Sequence, residues 1–478
     1  MTYHFGNRPQ MSLEAKGQVE ENGTKVYSKA LCGELISENA VPACTAKAES
    51  KPFIILEDPK TAKRIGLNKY HLARGLLLLG KAGAGKTNIG QELAAAILHT
   101  MEEGSILFIN DTKGDYFEEH VHHISADMVC VIGSGHAYRE ITKYWNIFAE
   151  IMPRGKDGKL VYTIDSDVDA LEISSQLFDG MKSETQPIFP SMARQILAAM
   201  LIYFMRKYWR TDQSKLNNKE FLKFMLKLTA EDMKAILEET GMEDHRSKVN
   251  YIYGGKSGNQ SQGVLSYVNG ILSEVFIGPF AESDPAREFS VREIFEGKKK
   301  VVIFLEYDLM RGETLAPVYT ILIDQLLKYA LGGRSEKRKD VYLMIDEWAV
   351  LKNRLKHMSN TLSFGRSQGV KLICGLQNVS AVEAIYGEAE SKNIMAGFQN
   401  VIGFNVTDQP SCQFLAERSG RNYVNYSFTA QNNNLNTQRE GYCLEEWDIQ
   451  RLECGEAAVM LADEEPFLFH FPEYKGWK

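Results

Sequence analysis

Residues 76–87 read Leu76-Leu77-Leu78-Leu79-Gly80-Lys81-Ala82-Gly83-Ala84-Gly85-Lys86-Thr87. A continuous apolar run of this kind marks a strand buried on both faces, as in parallel sheets. The eight residues from Gly80 fit GxxxxGK[ST], the phosphate-binding P-loop. Glycines let the backbone curl so that successive N–H groups converge on phosphate oxygens. The helix that follows adds the positive end of its dipole. Gly80, Lys81, Ala82, Gly83, Ala84 and Gly85 are therefore expected to cradle a nucleotide's phosphates. The Lys86 ammonium would reach the β- and γ-phosphates, and the Thr87 hydroxyl would ligate Mg²⁺. Ile89, Leu93, Ile97 and Leu98 follow at helical spacing, completing the strand–loop–helix that the chemistry needs.

Outward from this loop the pattern stays α/β. Apolar runs predict strands at Ile106–Ile109, Met128–Ile132, Val301–Leu305, Tyr342–Ile345, Val370–Leu376 and Val401–Val406. Strands separated by helical stretches imply a mostly parallel sheet with helices on both faces. Between 185 and 290 the strand signals stop. Met192, Ile196, Met200, Phe204 and Tyr208 recur every fourth residue. Asn217 with Glu220, and Thr229 with Asp232, read as helix-capping pairs, and Gly241 as a helix stop. Val264, Leu265, Val268, Ile271, Leu272 and Val275 give a further helical stripe.

The expected organisation is a small, partly β lead-in over 1–70, with Asn22-Gly23 as a hairpin turn. The first part of a P-loop core follows at 71–184, an inserted all-α domain at 185–290, and the rest of the core at 291–478. Thr45–Ser50, Tyr253–Gly263 and Ala430–Glu440 read as loops, the last as a mobile one.

Composition narrows the function. Of 478 residues, 55 are Lys or Arg and 62 are Asp or Glu, a formal charge of −7. Such a chain does not coat nucleic acid by bulk charge; contact with phosphates needs a local patch or groove. Seven scattered cysteines without a CxxC pair argue for a reducing compartment and against a zinc ribbon. No run approaches the 18 apolar residues of a spanning helix, and Ile196–Met205 reads as buried core. The expectation is a cytoplasmic protein that could still dock on a membrane through a partner.

The second chemical element is Val341-Tyr342-Leu343-Met344-Ile345-Asp346-Glu347, an apolar strand ending in two carboxylates. In parallel sheets that end faces the ligand crevice. Asp346 would hold Mg²⁺ through its water shell, and Glu347 would polarise the attacking water. The third is Gly365-Arg366-Ser367-Gln368-Gly369, then the strand Val370–Leu376, then Gln377-Asn378. An amide just past that strand could sense the γ-phosphate, or simply cap a turn. Arg366 lies at the strand's other end. It could reach a neighbouring subunit's nucleotide as an arginine finger in trans, or be a surface arginine.

These residues carry a resemblance. The sequence resembles the HerA–FtsK branch of P-loop ATPases, and within it is most similar to the type IV secretion coupling proteins of bacterial conjugation. Asp111-Thr112-Lys113-Gly114-Asp115 resembles the family's D-P-K-G-E. Trp145-Asn146-Ile147 stands where the family has an N-P-L turn, and Tyr342 to Gly387 matches it almost element by element. The likeness covers about residues 70–475. It implies a RecA-like core with an inserted all-α domain and a ring, usually a hexamer, that hydrolyses ATP between subunits and pumps DNA through a channel. By position it implies that Lys86, Thr87, Asp346, Glu347 and Gln377 act in cis and Arg366 in trans. Thr112 and Asp115 depart mildly from the family's Pro and Glu. The family's usual N-terminal pair of membrane helices has no counterpart in the sequence. That leaves a soluble or partner-tethered coupling-type ATPase, or a HerA-like translocase.

The leading reading is thus a DNA-translocating ATPase with DNA, and a relaxase or other secretion component, as partners. The alternatives are an ATP-gated recruitment hub for a relaxase or effector, and a motor serving a separate nuclease. Weaker signals are the basic run Arg334–Lys339 and the trio Arg246, Lys248 and Lys256. The first reads better as a solvated loop than as a DNA contact. His120, His122 and His123 read as a surface helix end.

Overall fold

The expected apolar runs become strands of one large sheet. In the computed structural model these are β1 (Leu76–Leu79), β2 (Ile106–Asp111), β3 (Val129–Gly133), β4 (Val301–Glu306), β5 (Val341–Ile345), β6 (Val370–Leu376), β7 (Asn400–Gly403), β8 (Glu456–Met460) and β9 (Phe467–His470). The structure describes residues 18–21, 24–27, 54–62, 64–178, 188–253, 259–332, 340–430, 433–464 and 466–477. The chain forms two compact units.

The first unit comprises residues 1–101, 342–349 and 362–478. Its part of the sheet runs β9-β8-β7-β1-β6-β5. β1 pairs in parallel with β6 (Leu79 opposite Leu376) and with β7 (Leu79 opposite Gly403). β1 and β6 are buried at every residue, as a strand with neighbours on both sides must be. β8 extends the sheet antiparallel to β7, and β9 antiparallel to β8; neither was foreseen in the sequence.

The second unit comprises residues 102–341 and 350–361. Its strands run β2-β4-β3, all parallel, with Glu306 opposite both Asp111 and Gly133. The same unit holds the helices Ile188–Tyr208, Asn218–Met225, Ala230–Glu238, Val249–Tyr253 and Asn259–Glu274. The capping pairs act as expected. Asn217 accepts from the N–H of Glu220, and Thr229 and Asp232 form a reciprocal box. Asn146 caps Ile147–Ile151, and the buried Asn218 side chain ties that turn down through Trp145 O (2.8 Å) and the N–H of Ile147 (2.9 Å). Phe148, Phe204 and Phe221 pack with ring centroids 5.4–5.7 Å apart. Ile188–Tyr208 is the one described helix long and apolar enough to cross a bilayer. Residues 196–202 are all buried within protein, as in a core helix.

Four expectations are corrected. Residues 421–430 and 433–442, read partly as a mobile loop, are the two strands of a ten-residue antiparallel ribbon, Ala430 opposite Asn433. Asn is a poor strand signal, but ladder pairing decides in context. The polar segment 253–263 is already helical from Asn259. His120 is wholly buried, and that burial pushes its imidazole down to about 4. Lys248 is also buried, beside His245, and is no surface cation. The strands Gln18–Glu21 and Thr24–Tyr27 pair antiparallel, Glu21 opposite Thr24, as a hairpin turning at 22–23 requires. Asn22, Gly23, Thr45–Ser50, Lys256 and Arg334–Lys339 lie outside the described residues.

Candidate nucleotide site

The phosphate loop leaves β1 pinned on both sides. Gly80 N donates to Leu376 O at the end of β6 (3.0 Å), and Lys81 N donates to Asn405 O just past β7 (2.8 Å). Gly83 and Gly85 take φ values of +74° and +119°, which an L-residue resists. A Cβ at Gly80 would stand 2.7 Å from that of Phe404, so the loop and the β7 exit fit only without it. Lys86 opens the helix Lys86–Thr100 and is 9% exposed. Its ammonium donates to the carbonyls of Gly80 and of Lys81 (3.2 Å). Thr87 is half-buried in the first turn of that helix.

Asp346 and Glu347 follow β5 directly. Glu347 is 8% exposed, and burial pushes its carboxyl above the usual carboxylate range. The Lys86 ammonium and hydrogen bonds from the side chain and N–H of Gln377 oppose that rise, while neighbouring Asp346 adds to it. So Lys86, Asp346, Glu347 and Gln377 stand together at the C-terminal ends of β1, β5 and β6. A carboxylate there, facing an ammonium and oriented by an amide, is suited to accept a proton from water.

Arg366 is not in this group. It lies in the turn before β6 and stacks on Tyr70, 5.2 Å from the ring centroid. Arg74 covers the same ring at 4.1 Å, and Tyr70 and Arg74 both donate to Asp463 (2.6 and 2.8 Å). The seven residues of β6 separate Arg366 from Gln377 by roughly 20 Å.

In the second unit, Asp111 explains the Asp111–Asp115 motif in structural terms. Its carboxylate accepts four backbone N–H groups, from Lys113, Gly114, Tyr116 and Phe117, at 2.8–3.1 Å. It thereby holds the start of the helix Asp115–His120. Glu306 ends β4 beside it, 2% exposed, and burial followed by the Asp111 charge pushes its carboxyl up to about 8. Tyr138 is hydrogen-bonded to Glu306, and both line a cavity of about 220 Å³ with Lys113, Gly135 and Asp308. A larger cavity of about 740 Å³ in the first unit, lined by Glu383, Lys392, Met395, Phe414 and Arg418, holds no motif residue. Among the described residues one cluster has metal-type donors, Asp167, Asp244 and His245, and the Arg206 guanidinium already bridges its two carboxylates.

A sequence model of the type IV secretion-system coupling protein DNA-binding domain matches residues 60–469. The chain belongs to the type IV secretion coupling-protein family. No curated protein sequence matches it. Among solved structures it is similar to the bacterial conjugative coupling protein TrwBdeltaN70 in an unbound form, at 18% identity and a TM-score of 0.68, covering 86% of this chain and 88% of that one. It is also similar to the plasmid coupling protein TrwB in complex with ADP and Mg²⁺ (18%, TM-score 0.66, 86% and 89%). A third is TrwB with the non-hydrolysable analogue ADPNP (19%, TM-score 0.67, 86% and 88%). At such identities the likeness is one of fold.

This coupling-protein core contains contacts that sequence reading missed. Gly375 in β6 is the clearest, because a Cβ there would lie 1.8 Å from the carbonyl oxygen of Asp346. Only glycine lets β6 pass so close to the Asp346-Glu347 corner, and this brings Gln377 to Glu347. The signal is one glycine inside a largely apolar strand. Tyr138 and Glu306 are far apart in sequence, and no local pattern joins them.

Proposed function

We propose that this coupling protein is an ATP-hydrolysing motor that moves DNA, or a nucleoprotein cargo, through a ring of its own copies, most simply a hexamer. The observation that carries the reading is the buried Glu347, set against Lys86 and held by Gln377 at the phosphate loop. The donor set fits a nucleotide with Mg²⁺: loop amides around left-handed glycines, a buried ammonium, a hydroxyl and a pair of strand-end carboxylates. The nucleotide, when bound, supplies the phosphoanhydride bond. The loop amides and Lys86 would hold its phosphates, and Thr87 and Asp346 would hold Mg²⁺. Glu347 would take the proton of the attacking water, and Gln377 would keep that carboxylate ionised and aimed. Arg366 would serve a neighbouring copy, a role supported by its place at the far end of β6 from Gln377. Residues 185–290 would form the inserted all-α domain.

The test is the ATPase rate with no DNA, with single-stranded and with double-stranded DNA, beside a mass measurement with nucleotide. Stimulation by DNA together with ring formation is expected. A DNA-insensitive rate with nucleotide-dependent partner binding would favour the recruitment hub instead. Arg366→Ala should lose turnover only in the ring, and mixing it with Lys86→Ala protein should restore part of it. Full activity in an Arg366→Ala ring would remove the trans role.

A further inference from the structure

The turn Glu453–Glu456, which leads into β8, lies directly on the phosphate loop. Gly455 N donates to Ala84 O at 3.1 Å, and the Cys454 thiol donates to Gly83 O at 3.2 Å. A Cβ at Gly85 would stand 3.4 Å from the Cα of Gly455, so the two backbones are in contact. The chain that leaves β9 closes the arrangement. Phe471 N donates to Gly455 O (2.8 Å), and the Phe471 ring packs on Phe404, the residue that walls Gly80. Asn88, the residue after Thr87, spends both ends of its amide on the same segment, donating to Pro472 O (2.8 Å) and accepting from Tyr474 N (2.6 Å).

The consequence follows from the planarity of the peptide unit. In a trans peptide the C=O of one residue and the N–H of the next point in opposite directions. Fixing the carbonyls of Gly83 and Ala84 outward, against residues 454 and 455, therefore turns the N–H of Ala84 inward, where it donates to Lys81 O (3.2 Å) and sets the loop's curl, and aims the N–H of Gly85 to the loop's inner side. The Gly85 amide is one that a phosphate would use. We propose that the turn Glu453–Glu456 is a positioning element of the nucleotide site, through which the C-terminal segment sets nucleotide affinity. This rests on the reading of residues 80–87 as a nucleotide cradle.

Cys454 makes the proposal testable in the full-length chain. Among the described cysteines, Cys130, Cys374, Cys412 and Cys443 are buried, whereas Cys454 is exposed. N-ethylmaleimide should therefore react there, its carbon–carbon double bond taking the sulfur on one carbon and the thiol proton on the other. Modification at Cys454, located by mass spectrometry, should weaken binding of a fluorescent ATP analogue with Mg²⁺ by tenfold or more. ATP with Mg²⁺ should in turn slow the modification. Cys454→Ala should raise the KM for ATP several-fold with kcat held, and Cys454→Ser, whose hydroxyl can still donate to Gly83 O, should recover most of that loss. Unchanged affinity after complete modification, or equal KM values for the Ala variant and the wild type, would overturn the proposal. So would equal sensitivity to the reagent in Cys454→Ser. If the unmodified protein binds no nucleotide, the cradle reading itself fails, a separate result from the binding protein with an indifferent Cys454.

Discussion

Glu347 and Glu306 occupy the same kind of place, one in each unit. Each stands at the C-terminal end of a parallel strand, each is buried, and burial pushes both carboxyls upward. Their neighbours differ. Glu347 has the Lys86 ammonium and two hydrogen bonds from Gln377 pulling it back toward ionisation. Glu306 has the Asp111 charge raising it further, up to about 8, and Tyr138 as its hydrogen-bonding partner. In the proposed mechanism a strand-end carboxylate thus serves as a base because of the cation beside it, not because of its position in the sheet. Without that cation, the same position holds a neutral acid at pH 7.

The contrast breaks first at turnover. Glu347→Gln should cut ATP hydrolysis by 10²–10⁴-fold, the usual span for a lost general base, with nucleotide affinity retained. Glu306→Gln should stay within about twofold of wild type in the same assay, since no proton transfer is assigned to it. Comparable losses in both variants would erase the distinction between the two sites. Next comes Gln377→Ala, expected to lower turnover at pH 7 by about tenfold, since removing the side-chain hydrogen bond to an ionised carboxylate raises its pKa. The acid limb of the pH–rate profile should move to higher pH, and a limb that stays in place would mean that Gln377 does not tune Glu347.

The third effect is on stability. Folded Glu306 holds its proton up to about pH 8, whereas the unfolded chain releases it near 4.5. Between those values the native state binds more protons, so stability is full below about 4.5 and falls as pH rises through 8. Glu306→Gln removes this penalty. At pH 9 its thermal midpoint should exceed that of the wild type, by a margin worth roughly 3–5 kcal/mol, and at pH 4.5 the two should agree. Identical pH profiles would show that Glu306 is not held neutral. The smallest effect is that of Tyr138→Phe, which removes one buried hydrogen bond and should cost about 1 kcal/mol in a denaturant titration.

The first of the two sites was the more legible in the sequence. A P-loop is eight consecutive residues, and Asp346-Glu347 follows an unbroken apolar run, so short-range spacing reveals both. Gln377 was legible only as the polar residue after β6. The Glu306 site was not legible, because its members come from Asp111, Tyr138 and β4 and meet only across the sheet. The missed strands have related causes. The ribbon 421–442 is built largely of polar residues whose pairing is cross-strand, and β8 and β9 join the sheet antiparallel at its edge. His120 misled because one helical histidine is buried while His123, three residues on, is exposed.

Gly375 shows how little material can set a tolerance. The gap between β6 and the Asp346 carbonyl is narrower than a methyl group, and Glu347 and Gln377 hang from the two sides of that gap. Their separation is therefore gauged by a missing carbon atom. A single methyl added there would act as a shim, parting the base from its amide while leaving every functional group in the chain intact.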